Sequence, residues 1–206
     1  MYNLPWFRER DEQAIIAFIE RYPFAFLSGC DANAKPVATQ APLFIESREG
    51  RWVLSGHIMK ETDHHKAFLH NDNVLVVFNG PHTYVSATWY SDPRVASTWN
   101  YMSVHARGNI RFLDREGLEA TLRKSTLHFE NDDEQSPTVF DNLPSAFRQK
   151  VMHAIVGFEI EVSALDTVFK LSQDKDAESI RGVINQLKRG DEDARRIAAE
   201  MEKRFT

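Results

Sequence analysis

The chain has 206 residues, 42% of them hydrophobic and 27% charged, which is ordinary for a soluble globular protein built around one main core. A net charge of −5 gives no general attraction to nucleic acid or an anionic membrane, and no apolar run nears the roughly 20 residues that span a bilayer. The single cysteine, Cys30, excludes an intrachain disulfide and a cysteine-based zinc or iron–sulfur site; with an opening unlike a signal peptide, the expected location is the cytoplasm.

In chain order, Ile15, Ile16 and Ile19 share one face of a helix predicted over residues 10–21, which Pro23 ends. Residues 24–29, 36–45 and 51–57 are apolar, β-rich runs separated by turn chemistry at Asp31-Ala32-Asn33-Ala34 and Ser47-Arg48-Glu49-Gly50, an antiparallel meander. A short helix is predicted over 62–70 and a buried strand over 74–78. That strand leads through Gly80-Pro81 into an aromatic run ending at Trp89-Tyr90, which reads as a kinked or split strand. Residues 97–113 read as one long strand with Gly108 at a bulge or bend. Beyond Asp114, helices are predicted over 115–130 and 144–152, a polar loop over 131–136 and an apolar strand over 154–162. Six or seven strands without a βαβ alternation point to an α+β barrel.

The last part, residues 174–204, reads as two helices joined at Lys188-Arg189-Gly190-Asp191, with Gly190 as the stop and Asp191 as the cap. Eight Lys or Arg face eight Asp or Glu there, so the hairpin has no basic excess for phosphates and is expected to pack on protein.

Chemistry concentrates in the two aromatic runs. Thr98, Asn100, Ser103 and His105 interleave with Trp99 and Tyr101, and polar groups buried among rings cost stability unless a partner satisfies them. That suits a planar, polar ligand. His57 at a strand end, with His64, His65 and Lys66 on the following helix, gathers donors where an anionic phosphate could rest. Adjacent His64 and His65 point different ways on a helix and no His-Glu-x-x-His spacing occurs, so no metal site is expected. No dinucleotide fingerprint, phosphate loop or nucleophile elbow is present, and no catalytic residue is assigned.

Gly80-Pro81-His82-x-Tyr84-Val85-Ser86-x-x-Trp89-Tyr90, then Thr98-Trp99-Asn100-Tyr101-x-x-Val104-His105-x-x-Gly108, and finally Lys170-Leu171-Ser172-Gln173 together resemble the PaiB-type FMN-binding negative transcriptional regulators. The opening Met1-Tyr2 with an early Phe7 is similar too. The resemblance implies an antiparallel split β-barrel with peripheral helices and a C-terminal helical hairpin, related to the pyridoxamine-phosphate-oxidase flavoproteins. Residues 1–165 would form the FMN-binding domain and 166–206 a helical extension packing on the barrel or on a partner subunit. It implies a homodimer with FMN near the interface, and DNA binding that the charge does not support. Carried onto this chain, it places His57 and Lys66 at the flavin phosphate, Thr39 and Gln40 along the ring, and Trp99, Asn100 and Tyr101 at the flavin edge or towards the partner subunit. Where the family has Gly-His-x-Ala-Arg, this chain has Gly56-His57-Ile58-Met59-Lys60. Two other functions suit the same barrel: a flavin-dependent oxidoreductase, with His105 or Tyr101 as proton donor, and a haem-binding protein.

Overall fold

Most helices of the computed structural model, which describes residues 4–92 and 94–205, start or stop where side chains dictate. The Met1-Tyr2 opening lies outside the described residues. Helix α1 (Glu12–Arg21) is capped by the Asp11 carboxylate and ends at Tyr22, ahead of Pro23. Strands β1 (Phe24–Cys30), β2 (Pro36–Pro42), β3 (Phe44–Arg48) and β4 (Arg51–Met59) form two antiparallel hairpins and not the expected meander, because β2 and β3 fall at opposite ends of the strand order. The run 36–45 is thus two strands, broken at Leu43, whose buried side chain and N–H bond to the Pro23 carbonyl turn the chain. Helix α2 (Asp63–His70) follows, capped by Thr62.

Strand β5 (Asn73–Val85) passes unbroken through Gly80, where a Cβ would come within 2.5 Å of the Phe18 ring; the missing side chain lets the strand continue instead of splitting. The aromatic run then leaves the sheet. Ala87–Trp89 is a 3-10 turn whose Thr88 N–H donates to the Ser86 hydroxyl, so Trp89 and Tyr90 do not sit on a strand. After β6 (Thr98–Phe112), helices α3 (Arg115–Phe129) and α4 (Ser145–Ala154) lead to β7 (Ile155–Lys170). That strand is about twice its expected length, because its half-exposed polar middle hides the apolar signal that returns at Thr167–Phe169. Helices α5 (Ala177–Leu187) and α6 (Glu192–Phe205) form the hairpin, with the Asp191 carboxylate accepting from Ala194 N–H at 2.9 Å.

Along the sheet the strands run β2-β1-β5-β6-β7-β4-β3. The pairs β1 with β2, β1 with β5, β3 with β4 and β4 with β7 are antiparallel. The chain forms two compact units. Of the described residues, unit 1 holds those up to Tyr22, Phe78–His105 and those from Asp166 onward; unit 2 holds Pro23–Val77 and Ala106–Leu165. The core of unit 1 is built on Ile19, Phe78, Val104, Phe169, Ile197 and Met201, and that of unit 2 on Leu27, Leu54, Val76, Phe158 and Ile160. A second cluster in unit 2 packs Leu118 and Leu122 of α3 against Phe140, Met152 and Ile155. Gly108 answers a close approach: a Cβ there would lie 2.1 Å from the Glu161 carbonyl oxygen on β7.

Candidate functional site

In unit 2 three elements that carry expected site residues meet, with α2 packed on β1 and β2, and β2 on β4. Thr39 and Gln40 sit on β2 opposite Leu27 and Phe26 of β1. Directly paired residues on an antiparallel ladder share a face, so Gln40 stands beside the ring of Phe26. Both are exposed, as is Phe24 one ladder step away opposite Pro42. This face offers a flat ring surface with an amide beside it, the pairing that suits one side of an isoalloxazine. The sequence reading names Gln40 as a candidate but not Phe24 and Phe26, although their alternation with the fully buried Ala25 and Leu27 marks them as outward-facing.

His57 lies on β4 opposite Gly157, half-buried, and burial lowers its pKa. It therefore enters the site as a neutral imidazole, an N–H donor without charge. Downstream, the turn from Met59 to Thr62 is fixed by short-range bonds. The Thr62 hydroxyl donates to the Met59 carbonyl at 3.0 Å and accepts from the His65 N–H at 3.3 Å. Glu61 is held at φ 61° with its N–H donating to His65 Nδ1 at 3.3 Å. The His65 ring is buried against Phe112, with centroids 5.0 Å apart, and burial is the main cause of its lowered pKa. His65 is thus a pin for the start of α2. Lys66 is exposed and paired with Glu61 at 3.3 Å. The stretch 60–66 leaves the Lys60 and Lys66 ammonium groups as its donors, since the Thr62 hydroxyl and the His64 ring are engaged with Met59, Asp63 and each other, and Glu61 and Asp63 balance both lysines. This donor set fits a phosphate through hydrogen bonds more than through net charge.

In unit 1 the structure explains the Lys170-Leu171-Ser172-Gln173 motif. The Lys170 ammonium donates to the Thr98 hydroxyl and stands 5.9 Å from the centre of the Phe7 ring. Leu171 is fully buried. Ser172, in the left-handed region at φ 61°, donates to Asn100 Oδ1 at 3.2 Å and accepts from Asn100 Nδ2 at 2.9 Å. Gln173 clamps the backbone, accepting from Leu171 N–H and donating to the Phe169 carbonyl, each at 2.6 Å. Asn100 has no exposed surface and also reaches Met201 Sδ at 3.6 Å, so its amide is spent within unit 1. Trp99 is 53% exposed and forms an aromatic ledge with His82 and Tyr84, whose ring centres lie 6.1 and 6.2 Å away. Tyr101, two residues along β6, is half-buried. Thr39, Gln40, His57 and Lys66 thus belong to unit 2, and Trp99, Asn100 and Tyr101 to unit 1.

Among the described residues no three His, Cys, Asp or Glu side chains gather as metal ligands, and no helix is long and apolar enough to cross a membrane.

Residues 1–164 match the family described as "Putative FMN-binding domain". Over 191 residues the chain is 31% identical to the Bacillus subtilis "Protease synthase and sporulation protein PAI 2", covering 91% of this chain and 89% of that protein. Among solved structures it is similar to the flavocytochrome Anf3 from Azotobacter vinelandii, with a TM-score of 0.57 and 19% identity over 80% of this chain and 69% of that one. It is similar also to the FAD and haem binding protein from Mycobacterium smegmatis, with a TM-score of 0.58 and 14% identity over 85% and 78% of the two chains. At such identities these two likenesses are of fold alone, and the fold is the split barrel expected from the sequence. With a family match over most of its length and a relative above 30% identity along nearly all of it, the chain belongs to the PaiB-type FMN-binding split-barrel family.

Proposed function

We propose that this protein binds FMN as a homodimer and acts as a regulator of the PaiB type. The observation that carries the reading is the family match over residues 1–164, which spans the β2, β4 and α2 elements whose side chains fit a flavin. In this reading Gln40 and the exposed Phe26 meet the ring, Thr39 lying on the opposite face of β2 with the buried Leu27, while His57, Lys66 and the donors around Thr62 hold the phosphate. FMN would supply electron or hydride chemistry, or only a redox-dependent occupancy; the chain's own residues bind and orient it. The exposed Trp99 ledge is the surface offered to the partner subunit, with Tyr101 beside it and Asn100 holding the strand from within. The C-terminal hairpin balances its charges, so regulation is proposed to run through a protein or metabolite partner and not through phosphate attraction to DNA.

The test is the absorption and fluorescence spectrum of freshly purified protein beside Gln40→Ala and Lys66→Ala. A flavin spectrum with quenched emission, and weaker FMN retention in both variants, supports the site. Retention unchanged in both variants would move the flavin elsewhere on the barrel. Sedimentation at micromolar concentration checks the dimer, and a monomer would remove that part of the proposal.

A further inference from the structure

Unit 1 contains a cavity of ≈ 250 Å³ that no flavin contact proposed above uses as its wall, Asn100 alone being shared with its lining. Its lining joins the rings of Trp6, Phe7 and Tyr90 to the polar groups of Thr98, Lys170 and Lys175, with the Lys170 ammonium 5.9 Å from the Phe7 ring centre. Two ammonium groups thus face one carboxylate, since Asp174 also lines the cavity and pairs with Lys175 at 3.0 Å. Among the described lining residues, cations outnumber anions. The polar wall is held in place before any ligand arrives: Lys170 donates to the Thr98 hydroxyl, and the Asn100–Ser172 pair fixes the turn that follows. Lys170 is partly buried, which lowers its pKa; Asp174 pushes the other way and Lys175 adds to the lowering.

Tyr90 makes the cavity more than a surface dent. It is 7% exposed, the Lys175 ammonium stands 5.5 Å from its ring centre, and its buried hydroxyl makes no hydrogen bond. Ser172 lies close to that hydroxyl without meeting hydrogen-bond geometry, and burial raises the phenol's pKa, so it stays a protonated donor. A buried, unmatched donor costs about 1–3 kcal/mol, which a protein recovers when a small shift lets the donor meet an acceptor.

We propose that this cavity binds a small aromatic monocarboxylate. Its carboxylate is met by Lys170 and Lys175 with the Thr98 hydroxyl beside them, and its ring lies against Trp6 and Phe7. Charge decides between anions: Asp174, paired with Lys175, opposes the second charge of a phosphate dianion, which a monoanion does not carry. Size decides the body, because the volume falls below the roughly 300–1,000 Å³ of cavities that hold drug-sized ligands. Such a ligand would make the protein a sensor of aromatic acids, with its input separate from the flavin.

Calorimetric titration of the whole protein with benzoate and with benzamide, its uncharged isostere, tests this without any variant. Saturable binding of benzoate, at least about tenfold tighter than benzamide, supports the site. Lys170→Met should weaken benzoate by at least about tenfold with the far-ultraviolet spectrum unchanged, and Tyr90→Phe should weaken it by a smaller factor. Equal binding of benzoate and benzamide, no saturable heat, or a folded Lys170→Met that binds as the natural protein does would overturn the proposal. The titration is repeated with FMN added. Displacement of one ligand by the other would place the carboxylate in the flavin site and also overturn it, whereas absence of flavin binding leaves the benzoate readout intact.

Discussion

Asn100 has no exposed surface, and its amide both donates to and accepts from Ser172, a residue held in a left-handed conformation. Truncating one member of such a pair leaves the other buried with nothing to bond. Asn100→Ala should therefore lower unfolding stability by about 1–3 kcal/mol, read from urea midpoints, and an unchanged midpoint would contradict the assigned role. Two histidines set a pH dependence. His57 and His65 both have folded pKa values below 6.5, chiefly through burial, so the unfolded chain takes up protons first as pH falls. Their contribution is complete above 6.5 and is lost as pH drops from there towards the lower folded values. Combining His57→Gln with His65→Asn should flatten the stability profile between pH 7.5 and about 5.5. A slope that survives both replacements would place the proton uptake on other groups.

At the scale of elements, α5 shows a geometric demand overriding propensity. In an unconstrained helix Ala is better than Gly by about 1 kcal/mol. At Gly182, however, a Cβ would lie 2.3 Å from the Trp89 carbonyl oxygen, on the 3-10 turn that α5 packs against. Gly182→Ala is expected to lower the melting temperature, opposite in sign to the propensity effect, and a raised melting temperature would contradict the contact. The same helix begins at Asp176, which accepts from the Ser179 N–H at 2.9 Å and hydroxyl at 2.7 Å, and from the Ser91 hydroxyl at 3.0 Å. These bonds hold its pKa down to about 2. For a carboxylate depressed from 3.8 the stabilisation is present above 3.8 and fades as pH falls towards 2. Asp176→Ala should thus lower the melting temperature at pH 7 and have a smaller effect near pH 2. An effect of the same size at both pH values would show that the charge is idle. Strand β6 depends on Gly108 in the same geometric way, and any side chain there must push Glu161 of β7 aside.

Across the whole molecule, the local code was legible wherever a cap, a proline or an alternation carried it. Asp11, Thr62 and Asp191 mark helix starts, and Pro23 ends the first helix. The split at Leu43 and the full length of β7 were not legible, because one depends on a buried residue in an apolar run and the other on polar residues inside a strand. The departure of Trp89 and Tyr90 into a turn was hidden too, since aromatic residues favour strands and the turn is dictated by Ser86 and by docking on α5. Of the candidate site, Gln40, His57 and Lys66 were carried over from the family resemblance, whereas the Phe26 face needed the β1–β2 register and the His65 pin needed Phe112, 47 residues away in sequence. Single-chain periodicity carries neither of those long-range pairings.

The central claim is that this barrel binds FMN, and equilibrium titration of FMN into flavin-stripped protein, followed by quenching of flavin fluorescence, tests it most directly. The expected result is saturable binding of about one FMN per chain, weakened by Gln40→Ala and Lys66→Ala. No quenching at any protein concentration, together with a colourless protein as purified, would contradict the account.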